Sequence, residues 1–148
     1  MAKQNPPVWV VNKSAPMNAT RRLPQLASRY FATGRQLMKR STSKGLHQLQ
    51  LETKQFRYTL ELFRPYYGPG LDKRLTSLRK IQDLLGEIHD SVTTKNFLGR
   101  KQNLSAKFLQ RRIARKRREL NRNWQGFFDA AGQERGWTNY LERFAKKG

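Results

Sequence analysis

Residues 46–63, LHQLQLETKQFRYTLELF, constrain this chain more than any other stretch. At about 100° per residue they describe a helix with two apolar faces. Leu49, Phe56, Leu60 and Phe63 make one face; Leu51, Tyr58 and Leu62 make the other. Between them runs a narrow polar stripe of His47, Gln50, Lys54 and Arg57. A cationic stripe flanked by two apolar faces is expected to line a groove or channel between packed helices. Cations of one sign held partly out of water cost free energy unless they are paired. The chain holds 31 Lys plus Arg against 10 Asp plus Glu, so the expected partner is an anionic ligand.

The net charge of +21 over 148 residues points the same way. Such a surface draws polyanions through space and repels itself when empty. Nucleic acid, polyphosphate and anionic membrane are the three partner classes it fits. The length suits one domain. Three Trp, five Tyr and eight Phe can furnish a core, which argues against wholesale disorder. The absence of cysteine excludes disulfides and thiolate zinc sites. No apolar run approaches the roughly 20 residues of a membrane span, and PPVWVVN near the start is too short for a signal segment. A cytoplasmic protein without metal or cofactor is the expectation.

Helical spacing organises the rest. Residues 1–19 carry three of the six prolines and little periodicity, and read as an extended arm; 20–148 read as the folded domain. A first helix is expected over about 22–41 with Pro24 in its first turn, where no amide donor is needed. Its apolar face is Leu23, Leu26, Tyr30 and Leu37, while Arg22, Arg29 and Arg40 share another. Ser43–Lys44–Gly45 is a break before the second helix, about 46–64. RPYYGPG, 64–70, is a turn. A third helix follows over about 71–98, ended by Gly99. Asn103 is a suitable cap for a fourth over about 104–131. Gly132 and Gly136 set off a short last helix bearing Trp137, Tyr140, Leu141 and Phe144. The fold class is therefore all-α, an antiparallel four-helix bundle with a short C-terminal helix and an extended N-terminal arm.

The fourth helix is the second carrier of charge. From Lys107 to Arg118 there are seven basic residues and no acid. Leu109, Ile113, Leu120, Trp124 and Phe127 face a core. Lys107, Arg111, Arg115, Arg118 and Arg122 fall on the opposite side, as a ladder about 22 Å long. A charged face is ordinarily just solvated surface. A solvated face usually alternates in sign, however, and this one does not; like charges at i, i+4 weaken a helix slightly. A linear polyanion suits the ladder better than a single phosphate.

In the third helix, QDLLGEIHDS, His89 and Gln82 share the stripe of Leu71 and Leu75. A lone histidine there is more often a helix-contact residue than a ligand, and His89 is kept as a candidate on those terms. Gly86 in mid-helix costs about 1 kcal/mol relative to alanine and points to close helix approach. Asp83, Glu87 and Asp90 cluster elsewhere and suit pairing with Arg or Lys of a neighbouring helix.

These two helices together resemble the CHAD family, the conserved histidine α-helical domain. His47, Leu49, Lys54, Arg57 and Tyr58 match its first motif, and Leu85, Gly86 and Asp90 its second. The likeness covers about residues 20–130 and is best over 46–92. It implies a helical bundle whose basic inner surface binds inorganic polyphosphate, in a non-enzymatic protein associated with polyphosphate granules. Two departures stand out. The arginine expected three residues after the histidine is Gln50, and the family usually carries two bundles per chain where this chain has one. Either one bundle suffices, or two copies associate as a homo-oligomer.

Physically, a fixed array of Arg and Lys neutralises several phosphates at once and releases counterions. Arg57 can fork two phosphate oxygens, Lys54 acts as a point charge, and His47 adds a proton-dependent donor. The polyphosphate-binding candidates are thus His47, Lys54, Arg57, His89, Arg22, Arg29, Lys107, Arg111, Arg115, Arg118 and Arg122. Nucleic acid is the alternative ligand, supported by charge and by Tyr30, Tyr58, Tyr66, Tyr67 and Trp124 near basic residues. Against it, most of these aromatics sit on core faces, and no recognised nucleic-acid motif is present.

Overall fold

The computed structural model describes residues 15–99 and 104–144, and side chains over 18–99 and 104–143. All of the regular structure among them is helical: α1 (Ala15–Arg40), α2 (Ser43–Leu62), the short α3 (Arg64–Tyr67), α4 (Gly70–Leu98), α5 (Leu104–Trp124) and α6 (Gln133–Phe144). Helix α5 runs on into a π-helical turn, Gln125–Asp129.

Four long helices follow from four long amphipathic patterns, and cross-helix pairs fix their direction. Tyr30 meets Thr53, Arg57 meets Gln82, and Lys80 meets Glu119. Paired with His47–His89 and Lys116–Glu87, these contacts make α2–α4 and α4–α5 antiparallel. The main contacts run α1–α2, α2–α4, α4–α5, and α6 against α1. The core between them is aliphatic near α4, with Leu71, Leu78, Ile81, Leu84, Leu85 and Ile88 buried. Near α1 it is aromatic, where Tyr30, Phe31, Trp124, Phe128 and Trp137 pack ring on ring. Trp124 reaches α1 at Gly34, so α5 is pinned at its C-terminal end as well as along α4.

Several boundaries differ from those the sequence suggests. Helix α1 starts at Ala15, so 15–19 belong to it rather than to an arm; Asn18 and Ala19 are fully buried. Pro16, not Pro24, occupies the first turn, which is where a missing N–H costs nothing. Pro24 sits in the helix interior and forfeits a hydrogen bond there. The burial of Leu23, Ala27, Tyr30 and Phe31 around it keeps the helix intact. The remainder of the expected arm, 1–14, lies outside the described residues, as does Asn103.

Helix α2 also starts early. Thr42 caps it, its Oγ1 accepting from the Gly45 amide at 3.0 Å. Gly45 is not a breaker here: a Cβ on it would stand 2.8 Å from Thr42 Oγ1. The 64–70 turn holds the four-residue α3, and Gly136 lies inside α6 rather than before it.

One buried polar pair ties α1 to α2. Thr53 Oγ1 donates to the Leu49 carbonyl at 2.7 Å, and its single proton is spent there. Tyr30 OH, 2.7 Å from the same oxygen, must therefore be the donor to Thr53. Burial pushes the Tyr30 phenol far above its ordinary range, which keeps it a donor.

A candidate anion-binding seam between α2 and α4

The stripe of α2 meets α4. His47 and His89 stack face to face, ring centroids 3.9 Å apart and 15° from parallel. His47 Nδ1 lies 3.3 Å from Gln50 Oε1, a bond the Nδ1–H tautomer donates. Gln50 in turn lies against Gly86, where a Cβ would approach its Nε2 to 3.2 Å. The mid-helix glycine thus marks the close approach its cost suggested. Two turns along, Arg57 Nε donates to Gln82 Oε1 at 2.9 Å and Arg57 Nη1 to Glu61 Oε1 at 2.7 Å. Lys54 is exposed between these two groups, its Nζ 5.7 Å from the Tyr58 ring centre.

The seam departs from the expected groove in two ways. It is open on one side. Only the face of Leu49, Phe56, Leu60 and Phe63 enters the core; Leu51, Tyr58 and Leu62 are 54, 48 and 76% exposed. The wheel has two apolar faces, but α2 packs mainly on α1 and α4, and those contacts do not cover its outer side. Arg57, moreover, is not waiting for an external anion alone. Glu61 supplies a carboxylate one turn along the same helix, and Gln82 a neutral acceptor. This buried guanidinium therefore has a structural duty. Its Nη2 makes no hydrogen bond among the described residues.

Arg57→Ala is expected to lower stability by about 1–3 kcal/mol, since it strips charged hydrogen bonds from a buried group. Lys54→Gln, on an exposed side chain, should stay within about 0.5 kcal/mol of the parent. Urea melts of the two variants make the comparison; equal stability would deny Arg57 its structural part.

Arg79 is a seam residue that the sequence reading missed. Its Nη2 lies 3.8 Å from Glu61 Oε1, beyond Arg57. Its place three residues before Gln82, on one helix face, was the available signal.

The other candidates lie elsewhere. Arg29 lines a cleft of about 210 Å³ between α1 and α2 with Glu52, Gln55 and Thr59, across α2 from the stripe. Arg22, two turns earlier on the same face of α1, is half-buried, with its Nε unpartnered among the described residues. Lys107, Arg111, Arg115, Arg118 and Arg122 are all exposed on α5. The acids of α4 pair partly as expected, with Glu87 Oε2 2.8 Å from Lys116 Nζ. Of the aromatics weighed as stacking partners, Tyr30, Tyr67 and Trp124 are buried and Tyr58 is exposed.

A helical bundle with a basic stripe on an inner helix is what the CHAD motifs of α2 and α4 imply; the His47–His89 stack is a feature the motifs did not contain. The CHAD domain matches residues 2–99, and the chain belongs to that family. The family is associated with polyphosphate binding and is generally non-catalytic. The match ends at the close of α4, before the ladder of α5. No curated protein and no solved structure matches the chain. No described helix is long and apolar enough to cross a membrane.

Proposed function

We propose that the α2–α4 seam is a binding track for inorganic polyphosphate, and that the protein works as a non-catalytic binder on polyphosphate granules. The observation that carries this reading is the alignment of His47, His89, Lys54, Arg57 Nη2 and Arg79 along one open seam in a member of this family. The cations lie along α2 and α4 rather than around a single pocket, which favours a chain of phosphates over one phosphate. Gln50 takes the place of a further arginine and serves His47 instead, so the track has one charge fewer than the family pattern. Homo-oligomerisation belongs to the same reading: a second copy seated on Leu51, Tyr58 and Leu62 would close the open side of the seam.

The test is competition at equal phosphate concentration among long-chain polyphosphate, orthophosphate, RNA and duplex DNA. Polyphosphate should win, and Lys54→Gln with Arg79→Gln should weaken it without changing the melt. The seam also carries a pH signature. Of the stripe's cations Lys54 stands nearest the histidine pair, two turns along α2 from His47; Arg57, Glu61 and Arg79 lie further along the seam. A bound polyanion favours the protonated imidazoles, so binding takes up protons. Affinity then rises as pH falls. His47→Gln or His89→Gln should flatten that rise; a slope unchanged in both variants would remove the histidines from the site. Single-stranded nucleic acid is the second reading, favoured by the exposed Tyr58 ring between Lys54 and Arg57. RNA outcompeting polyphosphate, with loss in Tyr58→Ala, would establish it instead.

A further inference from the structure

We propose that the outer face of α5 is a second polyanion track, separate from the α2–α4 seam, so that one molecule bridges two polyphosphate strands. The idea rests on the polyphosphate reading above for its ligand, and on geometry for its separateness.

Lys107, Arg111, Arg115, Arg118 and Arg122 fall within about 80° of one another on α5. They are all exposed, on the side opposite the buried Leu120 and Trp124. The row is about 22 Å long and straight. Its charge is not consumed internally. The one acid of α5, Glu119, lies 3.2 Å from Lys80 and 3.7 Å from Lys116. Those cations, Lys80 foremost, hold its carboxyl below the ordinary range; Arg122 adds to this only at longer reach. Lys107, Arg111, Arg115 and Arg118 make no ion pair among the described residues.

The separation comes from α4. Around this helix, His89 and Gln82 face the seam, whereas Lys80 and Glu87 face α5. Asp83 and Asp90 are exposed on the arc between. Neither makes an ion pair among the described residues, so they leave acidic charge between the two basic surfaces, whereas Glu87 is neutralised by Lys116 on the α5 side. A phosphate chain held in the seam would have to cross like charge to reach the ridge. Continuous occupation of both by one short strand is therefore disfavoured, and the two surfaces act as independent tracks. A molecule with one track coats a polyanion; a molecule with two on different faces cross-links it, because each bound chain raises the local concentration of the other site.

The experiment compares the full chain with two multiple variants. The ridge variant is Arg111→Gln, Arg115→Gln, Arg118→Gln and Arg122→Gln; the seam variant is Lys54→Gln and Arg79→Gln. Gln keeps helix propensity, and removing like charges at i, i+4 does not weaken α5; a thermal melt verifies that each variant is folded. The probe is a size-fractionated polyphosphate oligomer shorter than the ridge, titrated calorimetrically. The parent should bind two oligomers per chain; the ridge variant should bind one, and the seam variant one as the parent does and a second much more weakly. With long-chain polyphosphate, light scattering should show condensation by the parent that the ridge variant loses.

A parent that binds one oligomer, lost in the seam variant alone, overturns the ridge and leaves the seam standing. A ridge variant that still binds two oligomers, or condenses long chains as the parent does, also overturns it. Binding that survives unchanged in the seam variant and vanishes in the ridge variant overturns the seam reading and the bridging together. Exposed Leu104 and Phe108 flank the start of the ridge. Anionic phosphatidylglycerol vesicles are therefore a further arm: ridge-dependent vesicle binding that long polyphosphate fails to displace would overturn the assignment to polyphosphate.

Discussion

Gly34→Ala is expected to destabilise the folded chain by about 2 kcal/mol, against the sign that helix propensity dictates. In an exposed helix interior the same change would stabilise by about 1 kcal/mol. Here an added Cβ would stand 2.1 Å from Trp124 Cη2 and 2.6 Å from Cζ2. The indole has nowhere to retreat: it is 1% exposed and packed against Tyr30 and Phe128 at 5.8 and 4.6 Å between ring centres. Overpacking a closed core costs about 1–3 kcal/mol and occasionally more, which outweighs the propensity gain. Trp124→Phe removes the colliding ring. Alone it leaves a cavity; combined with Gly34→Ala it should recover part of the loss, a coupling that urea melts read in a double-mutant cycle. A Gly34→Ala protein more stable than its parent would mean that α5 does not lean on α1 at this point. The consequence reaches the ridge, because Trp124 anchors the end of the helix that carries it.

What was legible in the sequence follows from how local each feature is. Four long helices were visible because each buries one continuous face, and those faces recur at helical spacing over 20 residues or more. The start of α1 was hidden by Pro16 and by a turn with no apolar periodicity, although Asn18 and Ala19 are buried. The Glu61 partner of Arg57 sits at i+4 and was open to reading; Gln82 lies 25 residues away and needs the α2–α4 register. The His47–His89 stack depends on that same register, so neither histidine alone pointed to the other. The second face of α2 is apolar in sequence yet open in the fold, because a wheel shows composition and not neighbours. Gly34 carried no pattern at all until Trp124 was found above it.

The steepest response expected of the protein is to salt. The ridge offers five fixed cations to a flexible polyanion and the seam three, and a single-stranded chain releases about 0.7 counterion per contact. Log affinity should then fall with log salt at a slope of about −3.5 for the ridge and about −2 for the seam. Raising salt from about 50 to about 200 mM should therefore weaken binding of a short polyphosphate oligomer to the ridge on the order of 100-fold. Orthophosphate reaches few of these cations at once, so its weak binding should change far less. The slope also separates multivalency from a pocket. If Lys54→Gln with Arg79→Gln removes two contacts from the seam, the slope for that track should shallow by about 1.4. Arg57→Ala removes one contact and shallows it by about half as much, whatever it does to stability. Calorimetric titrations across a salt series measure all three. A flat response for the parent, or equal affinity per phosphate for orthophosphate and the oligomer, would end the case for a multivalent track and leave +21 as bare solubilising charge.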